Sequence, residues 1–137
     1  MSNIEAAKGE IVMYQPDETI RLEVRMDGET VWLTTNKMSI LFERDESNIR
    51  RHVINVFNEG ELRRENNVQK IHVNGVKKLV PFYSLDVIIS VGFRVNTRRG
   101  IEFRQWANKV LKDAGKKFFA YIRMQETPAA QLLSNIR

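Results

Sequence analysis

The chain reads as α+β: N-terminal antiparallel β-hairpins, a helix-turn-helix followed by a β-hairpin wing, then a buried helix and a basic amphipathic helix. Three observations predict this. Apolar residues alternate early, at Ile20, Leu22 and Val24, and Asp27-Gly28 follows them as a tight turn. Between Thr34 and Gly60 the period changes to that of two short helices. Asn74-Gly75 then separates two β-rich runs, after which the helical period returns.

The chain has 137 residues, enough for one core and too few for two ordinary domains. The expected organisation is a winged-helix-like DNA-binding domain over residues 1–115 and a C-terminal helical extension over 116–137. No apolar run approaches the ~20 residues of a membrane span. The opening MSNIEAAKGE has neither a basic nor an apolar leader segment. Cysteine is absent, which excludes disulfides and thiolate metal sites and fits a cytoplasmic protein.

In order, Glu10 to Tyr14 and Thr19 to Arg25 read as strands around a turn at Gln15-Pro16-Asp17-Glu18. Thr30 to Leu33 completes a three-stranded sheet on which Trp32 packs. Thr35 is placed to cap a first helix carrying Met38, Leu41 and Phe42. The period breaks at Glu43-Arg44, Asp45 supplies a second cap, and Ile49, Val53, Val56 and Phe57 form one stripe ending at Gly60. Residues 45–58 should therefore be one helix, with Ile49, Val53 and Phe57 buried and Arg50 and Arg51 exposed.

After an irregular Glu61 to Asn67, Val68–Val73 and Val76–Tyr83 read as a hairpin closed by Asn74-Gly75, carrying Lys70, Lys77 and Lys78 with His72 beside them. Ser84 caps an apolar helix from Leu85 to about Phe93, and Gly92 and Asn96 break it. Thr97 opens a longer basic helix bearing Ile101, Phe103, Trp106, Val110 and Leu111, which Gly115 ends or kinks. Phe118, Phe119, Tyr121 and Ile122 continue an apolar pattern, and Thr127-Pro128 opens a last amphipathic piece with Leu132, Leu133 and Ile136. These two segments suggest either a subunit contact, a homodimer through the C-terminal segment, or the stub of a longer architecture.

The formal net charge is +5, and its distribution is uneven. From Arg94 to Lys117 eight basic residues face two acids, Glu102 and Asp113, so this segment alone carries the chain's positive excess. A polyanionic partner follows from that concentration. Enzymatic chemistry has no residues to rest on: His52 and His72 lack neighbours at metal-ligand spacing, and no phosphate loop or nucleophile elbow appears. No cofactor and no metal are expected.

Three blocks carry a family resemblance: TVWLT (Thr30 to Thr34), MSILFERDESNIRRHVINVFNEGEL (Met38 to Leu62) and YSLDVIISVGFRVNTRRGIEFRQWANKVLK (Tyr83 to Lys112). With them the chain resembles the virulence-associated RhuM family over roughly residues 10–115, fading after Lys112. The block ending in FRQW is also similar to phage antirepressor BRO-type domains. The resemblance implies a bacterial DNA-binding protein, a regulator from a mobile element or pathogenicity island.

The reading of the residues and the resemblance thus converge on double-stranded DNA as partner, with no membrane involved. Ser47, Asn48, Arg50, Arg51 and Asn55 are placed on the polar front of the second helix for groove contacts. Lys70, Lys77, Lys78, Arg98 and Arg99 are the candidates for phosphates. The leading rival is a protein-interaction module, antirepressor-like, without direct DNA binding. A weaker one is an accessory domain of an enzyme.

Overall fold

A computed structural model describes residues 9–27 and 29–125, with residues 115–125 as backbone only. The elements are β1 (Glu10–Tyr14), β2 (Leu22–Asp27), β3 (Thr30–Leu33), α1 (Thr35–Phe42), α2 (Glu46–Asn58), β4 (Val68–Ile71), β5 (Val80–Ser84), α3 (Leu85–Val95) and α4 (Arg99–Gln125). All five strands join one antiparallel sheet in the order β1-β2-β3-β5-β4. The chain therefore leaves the sheet at β3, makes two helices, and returns as a hairpin whose second strand pairs with β3. The fold is α+β.

β2 begins later than its alternation suggests. The Asp17 carboxylate accepts from the backbone amides of Thr19 (2.7 Å) and Ile20 (3.3 Å), so those amides hold a turn instead of a ladder. Asp27 itself pairs with Thr30, so the hairpin that Asp27-Gly28 marks is present with its register one residue later than a loop of that dipeptide would give. Alternation then divides the sheet. Leu22, Val24, Val31 and Leu33 point toward the helices and are almost wholly buried. On the other face Trp32 and Phe82 are buried too, with the Arg25 guanidinium 5.5 Å from the Phe82 ring and the Trp32 indole donating to the Asp27 carbonyl at 3.3 Å.

Thr34, not Thr35, caps α1: its hydroxyl accepts from the Lys37 amide at 3.2 Å, while the Thr35 hydroxyl donates to Glu46 at 2.9 Å. A three-residue turn, Glu43 to Asp45, then joins α1 to α2. Glu43 adopts left-handed backbone angles there, at φ 54°. Arg44 fastens the turn by donating to the carbonyls of Phe42 (3.3 Å) and Val95 (3.1 Å), the exposed ends of α1 and α3. Asp45 stands at the N-cap of α2 without bonding its amides; it accepts the Ser47 hydroxyl instead, at 2.6 Å. At the other end Gly60, at φ 76°, lets the Glu61 amide reach the Val56 carbonyl at 3.0 Å and closes the helix.

The connection from β4 to β5 corrects the sequence expectation. A two-residue Asn74-Gly75 loop would pair Ile71 with Lys78, but Ile71 pairs with Val80. Strand pairing stops there, and residues 72–79 form an exposed loop with a turn where the Val76 amide meets the Val73 carbonyl at 3.1 Å. The dipeptide marks the turn correctly and overstates the length of the strands.

α3 is the central helix, with Leu85, Val87, Ile88, Val91 and Val95 buried. α4 crosses it where glycine meets glycine: a Cβ on Gly92 would lie 3.4 Å from the Gly100 Cα and 3.3 Å from the Phe42 ring. α4 then packs Phe103 and Ala107 into the core. Tyr14, Phe103 and Trp106 form an aromatic cluster, with Tyr14 5.1 Å from Phe103 and 4.8 Å from Trp106. The helix continues past Gly115 to Gln125. Phe118, Phe119, Tyr121 and Ile122 lie on its backbone-only part, so the apolar pattern read there falls outside the described side chains, as the Ala129–Ile136 piece falls outside the described residues.

Candidate nucleic-acid interface

α2 buries Ile49, Val53 and Val56, and Phe57 is half-buried beside them. At about 100° per residue the direction opposite that stripe carries Arg51 and Asn58, with Ser47 and Ile54 next to it, Asn48 and Asn55 on one margin and Arg50 on the other. Arg51, Asn58, Ser47 and Ile54 are all exposed, and so is Arg50. Of the residues the sequence set on this front, Ser47, Arg50 and Arg51 are exposed, whereas Asn48 and Asn55 are half-buried at its margin, and Phe57, expected in the core, is only half-buried.

The Arg50 guanidinium is tied to Glu46 at 3.0 Å, one turn earlier on the helix. The Ser47 hydroxyl is taken by Asp45. Asn48 and Asn55 are half-buried, and the Asn48 carbonyl oxygen is shielded from solvent with no bonding partner. Arg51 makes no ion pair among the described residues and stands nearest the centre of the face. Ile54, left out of the sequence-based set, is 48% exposed beside it. Its signal was available: it sits well off the Ile49–Val53–Val56 stripe, where an apolar residue has no core to enter.

The hairpin borders one margin of this face. The Phe57 and Tyr83 rings lie 6.3 Å apart, and the Arg64 guanidinium sits 4.6 Å over Phe57. Burial raises the Tyr83 pKa, against the charges of Arg64 and Arg50, and the Phe57–Tyr83 contact turns the Phe57 side of α2 toward β5. Lys70 pairs with Pro81 on the same sheet face as Tyr83, and is exposed. Lys77 and Lys78 are exposed on the 72–79 loop with Val73, Val76 and Leu79, each 37–46% exposed.

The other margin belongs to α3. Arg94 binds Glu59 at 2.8 Å and Glu61 at 3.0 Å, and these partners hold its pKa above the usual value. Thus one of the eight charges read as an accessible basic cluster closes the end of α2 instead. Arg99 is similarly engaged, 3.3 Å from Glu43 in the turn. Arg98, just before α4, is exposed and makes no ion pair among the described residues. Between Arg51 and Arg94, His52 has its pKa lowered, first by burial and then by both charges. Of the phosphate candidates, the structure brings Lys70 toward α2 and leaves Lys77, Lys78 and Arg98 on separate projections.

A family model, Virulence protein RhuM family, matches residues 61–128. Across that span this is a RhuM-family chain. No curated protein and no solved structure matches it. The RhuM-family span contains the hairpin, α3 and all of α4, with Lys70, Lys77, Lys78, Arg98 and Arg99. It runs past Lys112, where the resemblance was expected to fade, and it omits TVWLT and nearly all of the Met38–Leu62 block. The presented face of α2 thus stands outside it, and the BRO-type likeness has no counterpart in it. Among the described residues no helix is long and apolar enough to cross a membrane, and no cluster of three His, Asp or Glu side chains is placed to hold a metal.

Proposed function

We propose that this RhuM-family chain binds double-stranded DNA, inserting α2 into the major groove and laying the β4–β5 hairpin along the backbone, as a regulator of the kind found on mobile elements. The observation that supports this most is the connectivity around α2: a strand, a helix, a three-residue turn, a second helix with a polar exposed face, then a hairpin that pairs back onto the first strand. Arg51 and Asn55 suit guanine and adenine edges respectively, and Lys70, Lys77 and Lys78 suit phosphates. Arg50, braced by Glu46, serves orientation more than readout. Arg98, just before α4, and Arg104, Lys109 and Lys112 on it supply positive charge that attracts the duplex at longer range.

Selection of preferred duplexes from a random pool tests the reading. Arg51→Ala and Asn55→Ala should each cost about 1–3 kcal/mol at one base position and relax preference there. Lys77→Ala with Lys78→Ala should weaken all duplexes alike. Preference left untouched by both α2 substitutions would remove α2 from the groove.

A further inference from the structure

An exposed apolar cleft lies away from α2, where α3 crosses α4. Gly92 and Gly100 form its floor, because neither has a side chain to fill the crossing. Phe93 and Ile101 form its walls, exposed by 78% and 51%, with Ile89 at its base and Arg104 at its rim. The cleft measures about 210 Å³. Pockets for small organic ligands run to roughly 300–1,000 Å³, so this one suits a few side chains of a larger partner.

We propose that the cleft docks an acidic amphipathic segment of another protein, an apolar side chain seated between Phe93 and Ile101 and its neighbouring carboxylates on Arg104 and Arg98. Charge decides between the possible occupants. Arg104 lines the cleft, Arg98 lies one helical turn before Ile101, and no acid lines the cleft. Glu102, the nearest acid in sequence, is rotated about 100° from Ile101 around α4. A second copy docking face to face would set these arginines against one another, which like charge opposes. A nucleic acid would gain phosphate contacts and leave Phe93 and Ile101 without apolar cover. An acidic helix with apolar residues at i, i+3 and i+7 satisfies both parts of the surface at once. This surface shares no residue with the α2 face; its apolar part, Phe93 and Ile101, has no role in DNA binding, while Arg98 and Arg104 serve both readings.

The test is fluorescence anisotropy of a labelled helical peptide, rich in glutamate with leucines at i, i+3 and i+7, titrated with the full chain. Binding should lie in the micromolar range and weaken about tenfold or more with Phe93→Ala or Ile101→Ala. Arg104→Glu should weaken it further as salt is lowered, the reverse of the native salt dependence. Ile11→Ala, which trims an equally exposed residue on β1, should leave it unchanged. Both α3–α4 side chains are exposed, so their removal leaves the core intact, as an unaltered melting temperature would confirm. Absence of binding at ~100 µM overturns the proposal, as does binding that Phe93→Ala does not weaken. Self-association of the chain abolished by Phe93→Ala would also overturn it, assigning the cleft to a second copy.

Discussion

Ile54 is where a single side chain says most about the α2 face. A half-exposed β-branched residue between Arg51 and Asn58 gains nothing from water, but it matches the one apolar group in the major groove, the thymine C5-methyl. Replacing thymine by uracil in a preferred duplex should therefore weaken binding severalfold at one position, and Ile54→Ala should remove the difference. Equal binding of thymine and uracil duplexes by the native chain would show that Ile54 touches no base. His52, next to Arg51, carries a pH dependence whose sign is fixed by its surroundings. Burial and the charges of Arg51 and Arg94 hold its folded pKa below the ordinary value. As pH falls through the ordinary histidine range, the unfolded chain takes up a proton that the folded chain resists, so stability declines. Melting followed from pH 7.5 to 5.5 should show this decline, and His52→Gln should make it shallower.

At the scale of elements, the sequence was legible wherever local chemistry decides and less so where tertiary partners do. The periods of α1, α2 and α3 located those helices, because each buries one continuous apolar set. Caps and ends were less certain: Thr34 and Thr35 are equally good capping residues, and the Lys37 amide bonding the Thr34 hydroxyl, with the Thr35 hydroxyl engaged on Glu46, assigns the cap to Thr34. The hairpin register could not be read from Asn74-Gly75, since the far end is pinned by Ser84, whose amide and hydroxyl both donate to Asn67 just before β4. Nor could ion pairs between distant segments be foreseen, which is why Arg94 and Arg99 looked available. The FRQW motif shows the same division. Its interleaved arginine and aromatics resemble a stacking site for single strands, but Trp106 packs on Tyr14 and Phe103 and clamps α4 to β1. Trp106→Ala should cost about 3 kcal/mol, the low end for an aromatic because the ring is only half-buried. That corresponds to a fall of roughly 10 °C in Tm. An unchanged melting temperature together with lost binding would make the ring a stacking surface instead.

For the whole molecule, two surfaces are separated by the core: α2 with the hairpin, and the α3–α4 crossing with its exposed arginines. The sheet and α3 hold them in fixed relation, since α3 is buried against α2, α4 and β3 together. The segment from Glu43 to Glu61 contains more acids than bases, and its acids gather at the ends of α2, on Glu43, Asp45, Glu46, Glu59 and Glu61. Several of these neutralise Arg50, Arg94 and Arg99 in the folded chain. On the proposed DNA-binding reading, phosphate contacts then come from about four to six cations, drawn from Arg51, the hairpin lysines and Arg98. The most direct measurement is duplex affinity as a function of salt. With that number of phosphates neutralised, log K against log salt should fall with a slope of roughly −4 to −5, reduced by about two when Lys77 and Lys78 are both alanine. A chain that shifts no duplex at ~50 mM salt and micromolar concentration would contradict the DNA-binding account outright.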